Sequence, residues 1–430
     1  RLVTTISLIL GALVIVGVIF APALVNIYAP EFSQPGFEHI YDLTLTMMRI
    51  CLPQIFFMGL FALLSQVANA KDRFGPMMWA PVLNNVLAIF VFAWYFVKDV
   101  SHTVDTIPTS EIYAIGLSTT LGYVAQALVL FPVIKRADIK LRLRFDWNDP
   151  EIKKSIRLAA WTFLFAAISQ LSYLVTVNLS TSAAIKSIRD GIETGVGFTP
   201  YSNALLIFML PHSIITISVV TALLPTLSKF AHEKRSDEIH DQLVKAMRLV
   251  GIITVPSAFG FLIFGPVMSR ALFFGISRAD SNYLGYVLCA FGLGLIPMSL
   301  NLIALRGLNA YENVKLQVLS NLAMNGAAAL ISVGCAIWLP HQWVTVGLAA
   351  ALSFSYYVGA WYTTKLLRRY EIKIHIPEVI GFYLKLALLA LVIMVPLYFA
   401  ESHMPGGNTL HLLAVLLISA VGYLGLARFA

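Results

Sequence analysis

The sequence predicts an all-α, polytopic membrane protein, and three observations carry that prediction. Hydrophobic residues make up 58% of the 430 residues and charged residues only 12%, whereas soluble domains are about 25% charged. The mean hydropathy is +0.79. Apolar runs recur at lengths of about 20 residues, which a helix needs to cross roughly 30 Å of hydrocarbon, and a β-barrel would show short alternating segments instead.

Twelve apolar runs are predicted to be transmembrane helices, because backbone polar groups in lipid must be satisfied within the segment itself. In chain order they lie at about 5–27, 43–68, 77–97, 112–134, 157–179, 201–227, 249–273, 283–305, 316–338, 343–364, 379–399 and 409–427. The chain begins at Arg1 and enters a span almost at once. We therefore expect a fragment whose natural N-terminus is missing.

The distribution of basic residues predicts the orientation of the chain. If the chain starts in the cytoplasm, the loops on that side hold 21 Lys and Arg residues and the opposite loops hold five. This asymmetry is typical of the positive-inside rule and places the chain start on the cytoplasmic side. The net charge of +8 then indicates contact with the anionic inner leaflet and not a nucleic-acid surface.

Two cytoplasmic segments, 135–157 and 229–248, are long and amphipathic. In the second, Ile239, Leu243 and Met247 recur at helical spacing with charged residues opposite. Two interpretations stay open, a helix lying on the membrane surface and a solvated linker helix.

Two breaks divide the chain. The first lies near residue 150, where Asn148, Asp149 and Pro150 interrupt the pattern, and the second lies near Ile376 and Pro377. We expect domain boundaries at both.

The sequence carries no catalytic or metal-binding pattern. It has no HExxH and no P-loop, and all 22 carboxylates map to loops or span ends, so a mid-membrane carboxylate relay is not expected. Cys51, Cys289 and Cys335 are isolated inside spans, which predicts buried thiols and no disulfide or zinc site.

One cation lies well inside a predicted span. Arg49 is about two turns inside the second span and is followed by Pro53 and Gln54. An ionisable residue at such depth is a candidate functional residue. The alternative is that its long side chain reaches the external headgroups.

Neutral polar residues gather in two other spans. The fifth span contains Ser169, Gln170, Ser172 and Asn178, and the ninth contains Asn321 and Asn325 at i and i+4, on one helical face. Each could make an interhelical hydrogen bond that only holds helices together. Taken together on helices rich in small residues, they favour a polar cavity.

The segment "NAKDRFGPMMWAPVLNN" (69–85) joins the second and third spans. Its charged residues mark a short cytoplasmic turn. Within the third span, Pro81 removes a backbone hydrogen bond and can kink the helix, while Asn84 or Asn85 could satisfy the freed carbonyl or a neighbouring helix. A gate or hinge is therefore predicted from the three residues Pro76, Pro81 and Asn84.

Four segments, in this order, resemble the MurJ/MviN family. They are "NAKDRFGPMMWAPVLNN", "ISQLSYLVTVN", "ISVVTALLPTLSKFAHE" and "RGLNAYENVK". The resemblance implies the fold of the multidrug/oligosaccharidyl-lipid/polysaccharide exporter superfamily, with two six-helix lobes facing a central cavity and two extra C-terminal spans. The first span here matches the family's third, so the family's first two spans are expected to be absent. The implied domains are 1–150 (four spans of the N-terminal lobe), 151–375 (six spans of the C-terminal lobe) and 376–430 (a two-span hairpin).

The resemblance also implies a function. Members flip lipid II, the undecaprenyl-linked peptidoglycan precursor, from the inner to the outer leaflet of the bacterial cytoplasmic membrane by alternating access. The expected partners are lipid II, membrane lipids and other cell-wall synthesis or division proteins. No enzymatic activity and no cofactor are expected, and the membrane potential is the expected driving force. The implied substrate-binding residues are Arg49, Ser169, Gln170 and Asn203.

This sequence departs from the family pattern at two places. In "YSNALLIFMLPH" (201–212), Asn203 and Ala204 replace an acidic and a basic residue that many members carry. The positions of two aspartates that bind sodium in some members match Asn178 and Asn325. Because hard cations prefer charged oxygen ligands, a cluster of Asn178, Asn321, Asn325 and Ser353 is expected to pack helices or to hold a cation only weakly.

Three alternatives to a lipid II flippase stay open. One is a flippase for another polyprenyl-linked glycan, another is a drug or cation antiporter of the same superfamily, and the third is a non-transporting membrane scaffold for cell-wall enzymes. A scaffold does not need Arg49, Gln170 and the asparagines around one interior space, so the placement of these residues discriminates between the two classes.

Overall fold

A computed structural model of the chain describes residues 2–70, 74–97, 107–136, 150–192, 195–273, 275–372, 374 and 376–402, with the isolated residues 418, 422, 423 and 425. The chain divides into two compact units, Arg1–Arg157 and Leu158–Ala430. Throughout the described ranges the regular elements are helices. The charged turn at 71–73 and the predicted break at Asn148 and Asp149 lie outside the described residues. The expected separation of the hairpin from residue 376 onward stays a prediction.

The first unit contains seven helices and the start of an eighth. They are α1 (Leu2–Ile19), α2 (Ala21–Tyr28), α3 (Glu38–Cys51), α4 (Gln54–Asn69), α5 (Phe74–Val97), α6 (Thr109–Leu128), α7 (Leu130–Arg136) and the long α8 (Pro150–Arg189). A 3₁₀ turn, Pro30–Ser33, connects α2 to α3.

The second unit contains most of α8 and eight further helices. They are α9 (Phe198–Pro211), α10 (Ile217–His232), α11 (Ser236–Leu272), α12 (Arg278–Gly292), α13 (Leu295–Ala310), α14 (Val314–Trp338), α15 (His341–Leu367) and α16 (Ile376–Ser402). A π-helical segment, His212–Thr216, continues α9 into α10, and a 3₁₀ turn, Arg368–Tyr370, follows α15.

Eleven of the twelve predicted spans have a counterpart among the described helices. Within the described residues, nine helices are long and apolar enough to cross a membrane, and the number is 11 if two bent pairs each count as one span. These pairs are α1–α2, bent by 74°, and α12–α13, bent by 43°. The predicted span 409–427 lies outside the described residues apart from a few isolated positions, so a total of twelve stays a prediction.

Helix α6 is the centre of the first unit. It packs against α3, α4 and α5, and its glycines allow close approach. A Cβ on Gly116 would lie 2.9 Å from Cγ2 of Ile50, and one on Gly122 would collide with the amide of Asn84. Asn84 therefore lies against a neighbouring helix, which is one of the two arrangements expected from the sequence.

Helix α5 runs without interruption from Phe74 to Val97 and contains Pro81. The helix continues through Pro81, so the proline does not interrupt it. Pro76 falls in the first turn, where backbone N–H groups have no intrahelical acceptor, and Pro81 removes only one internal hydrogen bond. A hinge role for Pro76, Pro81 and Asn84 during transport stays a prediction.

Helix α11 organises the core of the second unit and corrects the interpretation of segment 229–248. Ile239 and Leu243 are fully buried and Met247 is nearly so, all within one hydrophobic cluster of the protein. The apolar stripe therefore packs against protein, and neither a surface-lying helix nor a solvated linker is correct. Periodicity located the stripe but did not identify the surface that covers it.

Helix α16 packs against the N-terminal half of α11. The Tyr383 hydroxyl donates a hydrogen bond to the Met247 carbonyl at 2.8 Å, and its ring fills the notch at Gly251, where a Cβ would lie 2.8 Å from Cζ. Arg248 and Glu378 form a solvent-exposed ion pair at 3.6 Å, which contributes little by itself. The buried tyrosine is therefore the main polar link between these two helices.

Two of the family-like segments have evident structural roles. Leu223 and Leu227 of the "LLPTLS" element are buried in the core of the second unit. In "RGLNAYENVK", Asn313 caps α14 by accepting a hydrogen bond from the Leu316 N–H at 3.2 Å and donates one to the Tyr370 hydroxyl at 2.8 Å. These segments therefore explain the fold more directly than they explain transport.

Candidate functional site

The second span of the first unit is interrupted at Leu52 and Pro53, between α3 and α4. Proline has no N–H, so the carbonyl of Arg49, four residues earlier, loses its usual helical donor. Interrupted helices within a membrane are tolerated where other groups satisfy the freed backbone. The interruption therefore needs polar partners close by.

Helix α6 supplies those partners. The Gln54 amide donates to the Thr119 hydroxyl at 3.1 Å and to the Thr120 hydroxyl at 3.0 Å. Thr120 in turn donates to the Ile50 carbonyl at 2.9 Å. This set, Gln54, Thr119, Thr120 and the Ile50 carbonyl, is called the α3–α4 network below. It holds the interruption in one defined geometry.

Arg49 lies in the last turn of α3, beside this network, and its side chain is exposed. Among the described residues it makes no hydrogen bond or ion pair. A guanidinium that stays unpaired can bind an anionic ligand through several donors in a planar fork. The structure thus puts this cation next to a fixed helix break, and its contact with substrate stays a prediction.

In the second unit, the predicted polar residues of α8 and α14 meet. The Asn321 amide donates to the Ser169 hydroxyl and to the Phe165 carbonyl, both at 3.1 Å. The Ser172 hydroxyl donates to the Asn325 carbonyl at 3.3 Å, and the Asn325 amide donates to the Asn321 carbonyl at 3.1 Å. This α8–α14 cluster is largely buried, since Asn321 is 3% and Asn325 is 8% exposed.

The other predicted site residues are dispersed. Gln170 is exposed, Asn203 is half-buried on α9, and Asn178 is half-buried on α8, about 9 Å along the helix from Ser172. Ser353 is buried elsewhere, and its hydroxyl donates to the Ala290 carbonyl at 2.8 Å. The expected grouping of Ser353 with the asparagines is therefore not seen, because α15 presents it to α12.

The bonds of Ser353 explain the bent span α12–α13. The bend falls at Gly292–Gly294, near the middle of the pair, and a Cβ on Gly294 would lie 2.8 Å from the Ser353 Cα. The Tyr357 hydroxyl, one turn further along α15, donates to the Leu293 carbonyl at 3.0 Å. Two hydroxyls of α15 thus satisfy carbonyls that the bend frees.

The structure contains two clusters of buried polar side chains that the sequence analysis does not predict. In the first, the Thr363 hydroxyl donates to Oδ1 of Asn301 at 2.7 Å and lies 2.5 Å from the Ser320 hydroxyl, which joins α13, α14 and α15. In the second, His212 and Thr216 both contact the Ser299 hydroxyl. The available signals are an asparagine and a histidine within apolar runs, and the sequence does not reveal their role because their partners are 62 and 87 residues away in the chain.

An apolar groove of about 540 Å³ runs along α11, α13, α15 and α16 in the second unit. Its walls are mainly aliphatic and aromatic, with Phe259, Ile296, Leu300, Trp361 and Leu384 among them. The three hydroxyls that line it, on Tyr357, Thr364 and Tyr383, each donate to a backbone carbonyl. The groove therefore presents a hydrocarbon-like surface.

A metal centre is not formed by the described part of the chain. No group of three or more His, Cys, Asp or Glu residues there is placed to hold an ion. At the turn between α10 and α11, outside the spans, the Arg235 guanidinium donates hydrogen bonds to Glu233 and Glu238. These bonds, the one to Glu233 foremost, raise the pKa of Arg235. This local ion pairing stabilises the turn. The polar groups relevant to function are therefore those within the membrane spans.

The fold is that of a known class of multi-pass membrane exporter. It is similar to a solved structure described as the inward-facing conformation of a multidrug resistance MATE family transporter of the MOP superfamily, with a TM-score of 0.68 and 15% identity over 86% of this chain and 81% of that one. It is also similar to "Lipid II flippase MurJ, inward closed conformation", with a TM-score of 0.77 and 19% identity over 100% of this chain and 82% of that one. At these identities the likeness concerns the fold alone.

Sequence comparison identifies the family within this class. The family model described as "Lipid II flippase MurJ" matches residues 1–418, so the chain belongs to that family. Similar proteins include the "Lipid II flippase MurJ" of Burkholderia cenocepacia, 27% identical over 73% of this chain and 58% of that protein. Another is the "Probable lipid II flippase MurJ" of Rickettsia prowazekii, 25% identical over 87% of this chain and 68% of that protein. The chain thus spans only part of the length of the curated relatives that it matches.

Proposed function

We propose that this protein flips lipid II from the inner to the outer leaflet by alternating access, as the names of its relatives imply for them. The apolar groove of the second unit is the observation that carries the proposal. A groove whose hydroxyls are all satisfied internally offers nothing to a hydrated solute and favours a hydrocarbon chain. A polyprenyl tail meets that requirement, and it can remain in the groove while the headgroup crosses.

The headgroup of lipid II needs a different environment. A pyrophosphate joined to a disaccharide and a peptide cannot cross hydrocarbon unaided, because charged groups and amides lose their hydration there. Arg49 is the residue that we assign to the pyrophosphate, since it is exposed and makes no ion pair among the described residues. Ser169, Gln170 and Asn203 are the neutral residues that we assign to the sugar and peptide. All four assignments are proposals.

The direction and driving force follow from charge. We infer that the chain start lies in the cytoplasm of a bacterial cell, with the protein in the cytoplasmic membrane, because basic residues concentrate in the loops of one side. The membrane potential, about 2.3 kcal/mol per charge per 100 mV, would act on cations such as Arg49. We propose that transport requires no cofactor and that the protein is not an enzyme. We also propose contacts with other cell-wall synthesis or division proteins.

The test uses the intact protein in its host. After depletion, lipid II exposed on the outer leaflet is measured by its accessibility to an externally added lipid II-cleaving enzyme, and re-expression is the control. We expect outward exposure to fall severalfold and to recover on re-expression. Unchanged exposure would overturn the proposal.

A parallel assay in proteoliposomes separates the alternatives. Lipid II, another polyprenyl pyrophosphate glycan and a cationic dye are each offered to the purified full chain. We expect movement of lipid II only. Movement of the glycan alone would favour the related flippase, movement of the dye would favour the antiporter, and movement of none, with host lipid II exposure unchanged, would favour the scaffold.

A further inference from the structure

His212 is a titratable side chain buried within a predicted span. It opens the π-helical segment His212–Thr216, about 21 Å along the span from Phe198. The residue is only 6% exposed. Ionisable residues at such depth are rare and usually functional, and single π-helical turns are frequent at functional sites. Two independent features thus coincide at one residue.

His212 has one hydroxyl partner, Ser299, which Thr216 also contacts, and neither Ser299 nor Thr216 has any exposed surface. Nδ1 lies 3.2 Å from the Ser299 hydroxyl on α13, and the Thr216 hydroxyl donates to the same Ser299 oxygen at 3.2 Å. Nε2 has no hydrogen-bond partner among the described residues. The arrangement ties both ends of the π-helical segment to one atom of α13.

Protonation would disturb this arrangement. In the neutral ring Nδ1 can accept from Ser299, whereas in the imidazolium both nitrogens are donors. Ser299 would then receive hydrogen bonds from His212 and from Thr216, and its own hydrogen would have to turn to another acceptor. A buried positive charge without an anionic partner is also costly.

No anionic group on the packed elements can neutralise that charge nearby. The π-helical segment packs against α9, α10, α11 and α13. Arg306, about 10 Å along α13 from Ser299, is the nearest charged residue on that helix, and α11 has no charged residue between Arg248 and Arg270. The remaining titratable groups of these four helices are Tyr201, Lys229, His232, Asp237, Glu238, His240, Asp241 and Lys245.

We propose that His212, Ser299 and Thr216 form a proton-binding site that couples proton movement to the conformational cycle of the transporter, an inference that rests on the proposed transport function. In the packed arrangement the ring is out of water, and a charge on it would have no anionic partner on the helices that surround it. When the π-helical segment separates from α13 and the ring meets water, imidazole takes up a proton near neutral pH. By linkage, protonation then favours the separated conformation to the same degree.

The test is transport under a pH gradient. The full chain in proteoliposomes is given lipid II, the membrane potential is clamped at zero, and a gradient of one pH unit is imposed in either direction. If one proton moves per cycle, the steady distribution of lipid II between leaflets should change by up to about tenfold. His212→Asn keeps a hydrogen-bonding atom near Ser299 but does not titrate, so its distribution should not respond to the gradient while flipping under an imposed potential persists.

His232→Asn is the matched control, since His232 is exposed at the end of α10. It should respond like the wild type. A response in His212→Asn equal to that of the wild type, or wild-type flipping that ignores the gradient, would overturn the proposal.

A second variant and a second readout cover the remaining cases. Ser299→Ala keeps the imidazole and removes its partner, so the pH at which flipping changes should shift, and an unchanged profile would contradict the assignment even if His212→Asn does not fold.

The ring ¹⁵N resonances of labelled histidine in the purified protein report the proton directly. If lipid II does not move at all but one histidine titrates together with a conformational change and is altered in Ser299→Ala, the proton site stands and the proposed substrate fails. If no histidine does so, the proton site fails as well.

Discussion

The α3–α4 network of the first unit and the α8–α14 cluster of the second unit are both polar groups within membrane spans, but they are built differently. The first secures a broken helix and leaves a neighbouring cation, Arg49, exposed and without an ion pair among the described residues. The second is neutral, largely buried and saturated by its own members. Polar groups that satisfy one another join helices, whereas a cation left without a partner is available for a ligand. The two regions should therefore differ in what their loss does to transport and to stability.

The largest effect is expected at Arg49. If Arg49 binds the pyrophosphate as proposed, Arg49→Ala removes charge-assisted hydrogen bonds each worth about 1.5–3 kcal/mol, so transport should fall by about 10- to 100-fold and complementation of a depleted host should fail. Expression and thermal stability should stay close to wild type because the side chain is exposed. The measurement is lipid II flipping in proteoliposomes at fixed potential.

Two variants serve as controls for Arg49. Arg49→Lys keeps the charge but not the planar fork and should retain part of the activity. Arg136→Ala removes an exposed cation at the end of α7 and should leave transport unchanged. If Arg49→Ala transports normally, the contrast between the two regions disappears.

A smaller effect is expected at Gln54. Gln54→Leu removes two hydrogen bonds and leaves Thr119 and Thr120 without their donor, at a cost of about 0.6–1.7 kcal/mol. Since the network holds the interruption beside Arg49, transport should fall severalfold along with the loss in stability. The free energy of unfolding in detergent and the flipping rate are measured together, and Gln66→Leu, a change of the same type on the opposite end of α4, is the comparison. A loss of stability with full transport would show that the network does not position Arg49.

The two asparagines of the α8–α14 cluster should affect stability alone. Asn321→Ala removes the hydrogen bonds to Ser169 and Phe165, so the free energy of unfolding should fall by about 1 kcal/mol while transport stays near wild type. Replacing sodium with potassium at fixed potential should also change nothing, because no carboxylate contributes to the cluster. Strong sodium dependence that is lost in Asn325→Ala would contradict this and would show that neutral oxygens suffice for a cation site.

The smallest effect on stability is expected at Pro81. Pro81→Ala restores one backbone hydrogen bond in α5, so the helix should be unchanged or slightly stabilised. If Pro81 acts as a hinge, the flipping rate should nevertheless fall about twofold to threefold. Leu87→Ala on the same helix is a control for an ordinary change of side chain, and an unaltered rate in Pro81→Ala would remove the hinge from the mechanism.

Local pattern predicted the helices well because each span must satisfy its own backbone in lipid. Every described span matches a predicted run, and even the bent pair α12–α13 was found as one run at 283–305. The i, i+4 spacing of Asn321 and Asn325 likewise predicted a shared face, which the structure confirms by their mutual hydrogen bond. Such inferences need only information within one helix.

Contacts between distant segments were not predictable in this way. Ser353 was grouped with the asparagines by family likeness, yet its hydroxyl donates to the carbonyl of Ala290, 63 residues away and just before the bend. Ile239, Leu243 and Met247 were identified as a stripe, but the sequence did not show that protein and not membrane covers them. The role of His212 is not visible in the sequence because its partner Ser299 is 87 residues away.

The sequence by itself determined that this protein is a multi-span helical membrane protein of the lipid II flippase MurJ family, because hydropathy and short motifs are properties of contiguous residues. Only the tertiary structure decided which polar groups pair and which stay available. Hydrogen bonds reach about 3 Å, so Gln54 finds Thr119, Asn321 finds Ser169 and Ser353 finds the bend only after the helices have packed. The same packing leaves Arg49 exposed. A residue whose hydrogen bonds are made within the protein stabilises the fold, whereas a residue that stays exposed can bind a substrate.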